Sequence, residues 1–258
     1  MTSSEFAGRT AIVTGASRGI GLAVAQRLAA GGANVVLTSR NEESAAAAAE
    51  QVGGNAVGMA AHAVDEAAAR HCIEATLERF GSVDILINNA GTNPAYGPLI
   101  EQDHARFAKV FEVNVWASVL WTSLAVKAWM GQHGGSVVNT ASVGGLQLTP
   151  SMGMYNASKT ALIQVTKQLA LELSPKVRVN AICPGLVRTR LAEALWREHE
   201  DPVANSIPLG RIGEPDDVAE AVAYLVSDAA SWMTGEAMVL DGGQTLGDAP
   251  AFRRGANG

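Results

Sequence analysis

Cysteine and histidine are scarce in this sequence. Its 258 residues include two cysteines, Cys72 and Cys183, which lie 111 positions apart without a Cys-x-x-Cys pair. This spacing argues against a disulfide framework and a cysteine-rich metal site, and it suits a reducing compartment. The five histidines form neither a His-Glu-x-x-His motif nor a close pair. We therefore expect no metal site.

Positive charge and long apolar runs are also lacking. Lysine and arginine number 19 against 25 aspartate and glutamate, so the net charge is -6. A protein with this balance has no electrostatic footprint for nucleic acid or for an anionic membrane. No apolar run approaches the roughly 18 residues of a membrane span, and the N-terminus lacks a basic segment followed by an apolar one. We expect a soluble cytoplasmic protein that acts on a small molecule.

Short apolar runs alternate with longer Ala-rich segments along the chain. Strands are predicted near residues 10–14, 34–38, 56–61, 84–88, 136–140, 177–182 and 237–240. Helices are predicted near residues 20–30, 42–52, 66–80, 103–130, 152–173 and 215–227. This alternation is typical of βαβ units, and strands apolar on both faces indicate a sheet covered on both sides. We predict one doubly wound α/β (Rossmann) domain over residues 1–258, with about seven parallel strands.

The longest irregular segment follows the sixth predicted strand. Loops of more than about 15 residues in compact domains are usually functional lids or disordered segments. Residues 191–199 suit a short helix that combines apolar Leu191, Leu195 and Trp196 with a charged run. We therefore predict a substrate lid over residues 186–214.

A glycine-rich turn connects the first strand to the first helix. It contains Gly15, Gly19 and Gly21, and such a turn brings a pyrophosphate close to the backbone at the helix N-terminus. Its Thr-Gly-x-x-x-Gly-x-Gly spacing departs from Gly-x-Gly-x-x-Gly. Taken alone it is compatible with a simple tight βα connection.

With this turn as its first landmark, the sequence resembles the short-chain dehydrogenase/reductase family over about residues 5–246. The other family landmarks follow in chain order: Asn88-Asn89-Ala90-Gly91, Asn114, Ser142, the Tyr155-x-x-x-Lys159 pair, Pro184-Gly185 with Thr189, and Asp241-Gly242-Gly243. The resemblance is closest to reductases of 3-oxoacyl thioesters on acyl carrier protein. It implies NAD(P)-dependent interconversion of a ketone and a secondary alcohol, without a metal.

Tyr155 and Lys159 are four residues apart, so on a helix they share one face. A tyrosine ordinarily titrates near pH 10, and a neighbouring ammonium is expected to lower its pKa. The resemblance makes Tyr155 the general acid/base and Lys159 its electrostatic partner, which also holds the nicotinamide ribose. Ser142 would hydrogen-bond the substrate oxygen, and Asn114 would support a water that links Lys159 to solvent.

The resemblance assigns the cofactor contacts to residues near the strand ends. They are Gly15, Ser17, Arg18, Gly19, Ile20, Gly21, Ser39, Arg40, His62, Ala63, Asn89, Ala90, Gly91, Tyr155, Lys159, Pro184, Gly185, Val187 and Thr189. Where family members that use NAD have an aspartate, this chain has Ser39, followed by Arg40. Arg40 and Arg18 could clamp a 2'-phosphate, so NADP is expected over NAD, although two solvated arginines are the alternative. His62 replaces a usual aspartate and either contacts adenine or is simply exposed.

Two other readings stay open: a dinucleotide-binding sensor without turnover, and an NAD-dependent alcohol dehydrogenase of the same fold. The substrate is not identified, and the expected pocket walls are mostly apolar: Leu146, Gln147, Leu148, Met152, Leu186, Leu191, Leu195 and Trp196. Residues 130–135 contain no Lys or Arg for an acidic carrier protein.

The resemblance also implies a homotetramer built on the helices at 103–130 and 152–173, with the last strand in a second interface.

Overall fold

A computed structural model describes residues 5–247, so residues 1–4 and 248–258 of the predicted domain lie outside the described residues. Within the described range seven strands form one parallel sheet, in the order β3-β2-β1-β4-β5-β6-β7. The strands are β1 (Thr10–Val13), β2 (Asn34–Ser39), β3 (Val57–Ala60), β4 (Ile85–Asn88), β5 (Gly135–Thr140), β6 (Val177–Pro184) and β7 (Ala237–Leu240). The sequence predicted each strand to within two residues at either end. The α/β class and the parallel sheet are confirmed.

Helices cover both faces of the sheet. They are α1 (Gly19–Ala30), α2 (Glu42–Val52), α3 (Glu66–Phe80), α4 (His104–Phe111), α5 (Ala117–Ala125), α6 (Gly131–His133), α7 (Gly153–Leu173), α8 (Glu200–Ser206) and α9 (Pro215–Val226). Along β1, Ala11 and Val13 pack into the apolar core beneath α1 and α9, whereas Ile12 packs into the core beneath α3 and α5. All three side chains are fully buried. The sheet is thus apolar on both sides, as strands covered by two helical layers must be.

The helix predicted near residues 103–130 is not a regular α-helix. Two π-helical turns, Glu112–Trp116 and Val126–Met130, separate α4, α5 and α6. The first turn carries Asn114, whose side-chain amide hydrogen-bonds to the backbone of Thr92 in the loop after β4. Such turns occur frequently at functional sites. Apolar periodicity could not predict the interruption, because the partner of Asn114 lies in a distant part of the chain.

The short helix predicted at residues 191–199 is wrong. Glu193–Leu195 forms a single 3-10 turn, and the helix of this region is α8, which begins at Glu200. Pro202 lies in the first turn of α8, where its missing N–H breaks no helical hydrogen bond. Glu200 and Asp201 favour the same helix N-terminus by their charge.

Because all seven strands are parallel, their carboxyl ends lie along one edge of the sheet. The strand order reverses between β1 and β4, and in open α/β sheets ligands bind at such a switch point. The glycine-rich turn, Asn89, Ser142, Gly185 and Gly242 each follow a strand at this edge. Among residues 5–247, no helix has the length and hydropathy to cross a membrane.

Candidate active site

The turn after β1 depends on two glycines with positive φ. Gly15 has φ 62° and Gly19 has φ 57°, a conformation that disfavours other residues. A Cβ atom at Gly15 would lie 2.8 Å from the Cα of Ala90, which follows β4. The turn therefore packs directly against the loop after β4, and both loops line one cleft.

Gly21 lies behind the turn. It does not line the cleft, and its contact with the cofactor stays a prediction. A Cβ at Gly21 would lie 2.5 Å from Asn89 Nδ2 and 2.8 Å from the carbonyl oxygen of Gly15. Gly21 thus lets α1 approach the turn closely, and Asn89 Nδ2 donates there to the carbonyls of Thr14 and Gly15 at 3.0 and 3.1 Å.

The N-terminus of α1 is open for an anion. Its N-cap residue, Arg18, makes no side-chain capping bond, and no acidic residue lies in the first turn. By contrast, Asn41 caps α2 and Asp65 caps α3 by accepting from backbone N–H groups. Free N–H groups and the helix dipole make an uncapped N-terminus a binding site for phosphate.

A cleft of about 650 Å³ runs along the sheet edge. All the predicted cofactor residues except Gly21 line it, and so do Ser142, Tyr155 and Lys159. The sequence analysis missed other lining residues: Asn41, Ser44, Ala61, Thr92, Lys109, Val113, Thr140, Ala141, Arg190 and Ala192. Most of them adjoin a predicted residue in the chain. Lys109, in contrast, enters from α4.

The cleft is strongly cationic although the protein is acidic. Arg18, Arg40, Lys109, Lys159 and Arg190 line it, and no Asp or Glu does so among the described residues. Arg18, Arg40 and Arg190 form no ion pair within residues 5–247. The donors and charges present therefore fit a dinucleotide, whose phosphates carry several negative charges.

The loop after β2 offers hydroxyl and amide groups beside Arg40. Ser39 Oγ lies 2.6 Å from Ser44 Oγ, and Ser44 Oγ donates to Asn41 Oδ1 at 2.6 Å. In the described part of the chain, no carboxylate lines this part of the cleft. After β3, His62 and Ala63 line the cleft, and the Nδ1 atom of His62 accepts from the Val64 N–H at 3.4 Å.

The structure brings the predicted catalytic residues together around the first turns of α7. Lys159 Nζ donates to the carbonyl oxygen of Thr140, the last residue of β5, at 2.6 Å. The same Nζ lies 5.6 Å from the centre of the Tyr155 ring. Ser142 Oγ accepts from the Gly144 N–H at 3.0 Å, and the Ser142 side chain lowers the pKa of Tyr155. A Cβ at Gly91 would lie 3.8 Å from Lys159 Nζ, so the loop after β4 borders the same site.

Asn114 is buried beside this group and does not line the cleft. Its Oδ1 accepts from the Thr92 N–H at 2.8 Å, and its Nδ2 donates to the Thr92 carbonyl and to Ser158 Oγ, each at 3.0 Å. Ser158 Oγ in turn donates to the Tyr155 carbonyl oxygen at 2.7 Å. The side chain of Asn114 therefore ties the π-helical turn to α7.

The expected fall in the pKa of Tyr155 is wrong. Burial raises the pKa of this phenol, the hydrogen bond from Ser142 lowers it in part, and the nearby Cys183 thiol raises it further. The ammonium of Lys159 is instead bound to the Thr140 carbonyl. Tyr155 consequently keeps its proton at neutral pH, which is the form that a general acid requires.

Burial lowers the pKa of Lys159 to about 8. The side chain is 3% exposed, so its ammonium is poorly hydrated and loses its proton more readily than an exposed lysine. The neighbouring Cys183 thiol has a pKa of about 11 because of burial, so it stays protonated in this range. Lys159 is therefore the group of the Tyr155–Lys159–Cys183 cluster that titrates near pH 8.

The segment 186–214 closes on itself at the mouth of the cleft. Val187 and Gly213 pair as a parallel bridge, and Arg188 pairs with Glu200 and, at 2.7 Å, with Glu214. Of the eight expected pocket-wall residues, Leu191 lines the cleft. Leu146, Leu148 and Leu195 are exposed, and each lies in a segment of the chain that borders the site.

Comparisons with known proteins find relatives of this chain. A family model described as enoyl-(acyl carrier protein) reductase matches residues 15–245. The chain is 38% identical over 249 residues to dehydrogenase/reductase SDR family member 4 of Caenorhabditis elegans, covering 93% of this chain and 96% of the relative. It is 38% identical to tropinone reductase-like 3 of Erythroxylum coca, covering 94% and 95%. A crystal structure of a short-chain dehydrogenase/reductase, titled glucose/ribitol dehydrogenase, from Brucella melitensis superposes with a TM-score of 0.89 at 33% identity, covering 94% and 98%.

The pKa of Lys159 predicts an alkaline limit on carbonyl reduction. The ammonium is present below about pH 8 and is lost above it. We expect kcat/KM for a ketone to be constant at neutral pH and to fall about tenfold per pH unit above that value. Lys159→Arg, whose guanidinium titrates above about pH 12, should remove this limb whatever activity remains. Steady-state rates from pH 6 to 10 test this, and an unchanged limb in the variant would exclude Lys159 as its source.

Proposed function

The chain belongs to the short-chain dehydrogenase/reductase family, and we propose that it reduces a ketone to a secondary alcohol with Tyr155 as the proton donor. Membership makes the protein an NAD(P)-dependent oxidoreductase of carbonyl compounds and alcohols. The observation that carries the proposed role is the meeting of Ser142, Tyr155 and Lys159 in a cationic cleft that no carboxylate of residues 5–247 lines. Retention of all three side chains, with Asn114, favours an enzyme over a sensor that only binds the dinucleotide.

Some residues of this chain would orient the cofactor and the substrate, and others would take part in proton transfer. The bound dinucleotide would supply hydride, and the α1 N-terminus, Arg18 and the loops after β2 and β4 would hold it. Ser142 would donate a hydrogen bond to the substrate oxygen and orient it. Tyr155 would give its proton to that oxygen, and the charge left on the phenolate would be stabilised by the ammonium of Lys159.

Tyr155→Phe tests the proposed reaction. The ring packing is kept and the acid is removed, so we expect kcat to fall about 10²- to 10⁴-fold while NADPH affinity stays within a few-fold. Tyr224→Phe is the matched control, because Tyr224 is an exposed residue of α9 outside the cleft. A Tyr155→Phe enzyme that keeps more than half of the wild-type kcat would refute the assignment.

We further propose that NADP is preferred over NAD. Arg40 and Arg18 line the cleft without an ion pair in the described part of the chain, and Ser39 stands where a carboxylate would repel a 2'-phosphate. The hydroxyl of Ser44 and the amide of Asn41 add uncharged hydrogen-bonding groups at the same place. Charge-assisted hydrogen bonds contribute roughly 1.5–3 kcal/mol each, and exposure of Arg40 favours the lower end.

Ser39→Asp combined with Arg40→Ala is expected to reverse this preference. Wild-type enzyme should favour NADPH over NADH by roughly 10- to 1000-fold in kcat/KM, and less as salt rises. Arg79→Ala serves as the control, since Arg79 lies over the Phe80 ring, away from the cleft. Equal use of both cofactors by the wild type, or an unchanged ratio in the double variant, would leave Arg40 and Arg18 as solvated charges.

The substrate proposed is a free ketone with an apolar body. Leu191 lines the cleft, and Leu146 and Leu148 are exposed in the loop after Ser142. A 3-oxoacyl thioester has the required carbonyl group, and residues 130–135 contain no Lys or Arg. The structure does place Lys176 against this stretch, where its Nζ donates to the Gln132 carbonyl at 3.3 Å. The sequence alone therefore understates the positive charge of this surface.

We propose that the segment 186–214 opens and closes over the substrate. Its two ends are joined by the Val187–Gly213 bridge, and Leu191 faces the cleft between them. Trypsin should cut at Arg190 or Arg197 in the free protein, and NADPH with a substrate should slow this cleavage several-fold. Equal rates of cleavage in the free and the ternary states, followed by mass spectrometry of the fragments, would exclude a lid.

We also propose a cytoplasmic homotetramer. Trp116 beside α5 and Leu171 on α7 expose large apolar side chains, and so do Trp232 and Val239 in and near β7. Apolar residues of this size on separate surfaces suit two interfaces between copies of the chain.

A further inference from the structure

A chain of buried polar side chains crosses the core beneath the active site. Asn88 Nδ2, at the end of β4, donates to Asn139 Oδ1 on β5 at 2.9 Å. Asn139 Nδ2 donates to Thr166 Oγ1 on α7 at 2.8 Å. Asn88 also donates to Thr122 Oγ1 on α5 at 3.1 Å. We call Asn88, Asn139 and Thr166 the buried amide chain; each is at most 4% exposed.

Polar residues at these strand and core positions are unfavourable for the free energy of folding. Asparagine is depleted in β-strands, and burial of a polar group is favourable only when its hydrogen bonds are made. Asn139 follows Val137 and Val138, which are fully buried apolar residues of the same strand. A further apolar residue would fill this place without such a cost. A buried network whose bonds are made instead restricts the core to one arrangement.

The buried amide chain ends on the helix that carries the proton donor. Thr166 lies seven residues, or two helical turns, after Lys159, so the two residues share the face of α7 that packs on the sheet. Asn139 and Thr140 are consecutive in β5. Asn139 bonds Thr166, and the Thr140 carbonyl accepts from Lys159 Nζ. Strand β5 thus holds α7 at two points along its length.

We infer that Asn139 and Thr166 are positioning residues for the proton transfer. Two bonds to adjacent residues of β5 limit both the sliding and the rotation of α7. Ser142 follows the same strand by two residues, so its distance from Tyr155 depends on where α7 sits on β5. The inference rests on the proposed function, in which Tyr155 gives its proton to an oxygen that Ser142 orients.

Thr166→Val tests the inference because it keeps the shape and removes the acceptor for Asn139. We expect kcat to fall about tenfold, since small displacements of reacting groups are costly to rate. The KM for NADPH should stay within about twofold, because the buried amide chain does not line the cleft. Thr166→Ser keeps a hydroxyl and should restore most of the wild-type kcat.

Thr76→Val is a matched control. Thr76 is fully buried on α3, and its Oγ1 donates to the Cys72 carbonyl four residues earlier at 2.6 Å, as Thr166 Oγ1 does to the Leu162 carbonyl at 2.8 Å. Among residues 5–247, Thr76 Oγ1 makes no further hydrogen bond to a strand. This variant should lose thermal stability comparably and keep its kcat per folded molecule.

Equal kcat in Thr166→Val and Thr76→Val, or no recovery in Thr166→Ser, would overturn the positioning role. Should Thr166→Val not fold, Thr166→Ala against Thr76→Ala is judged by the same comparison. A Tyr155→Phe enzyme with full turnover would refute the proposed function itself. A dead Tyr155→Phe enzyme beside a fully active Thr166→Val enzyme would refute this inference alone.

Discussion

The parallel pairing of the strands is the constraint on which the cleft depends. Because the chain crosses the sheet in the same direction each time, every strand ends at one edge, and the loops that follow converge there. The turn at Gly15, the loops at Arg40 and Asn89, and the segments at Ser142 and Pro184 are far apart in sequence. They form one surface because β1, β2, β4, β5 and β6 are neighbours in the sheet.

Backbone groups govern the electrostatics of this edge. The N-terminus of α1 faces the cleft without a capping side chain, while the Thr140 carbonyl at the end of β5 accepts from Lys159. Burial lowers the pKa of Lys159 only to about 8, so the ammonium is present at neutral pH and donates to this acceptor. In this arrangement the phenol of Tyr155 stays protonated, so an acid and a cation lie side by side in the cleft.

Motifs of local origin could be predicted from the sequence. The strands were recognisable because apolar runs bounded by glycine and polar residues reflect burial on both faces, and Tyr155 and Lys159 had to share a helix face. The π-helical turn at Asn114 and the start of α8 at Glu200 could not be predicted in this way. Each depends on a contact or a competing local preference that residue periodicity does not encode.

The sequence by itself determined the order of strands and helices, the family, and the residue types of the acid, the cation and the glycine turn. The tertiary structure decided how these groups act on one another. Burial, rather than the charge of Lys159, dominates the pKa of Tyr155, and burial depends on what packs around a residue. The cation Lys109 enters the cleft from α4, which carries no motif. The hydrogen-bonded link from Asn88 through Asn139 to Thr166 likewise exists only because β4, β5 and α7 pack together. Its two ends, Asn88 and Thr166, are 78 positions apart in sequence.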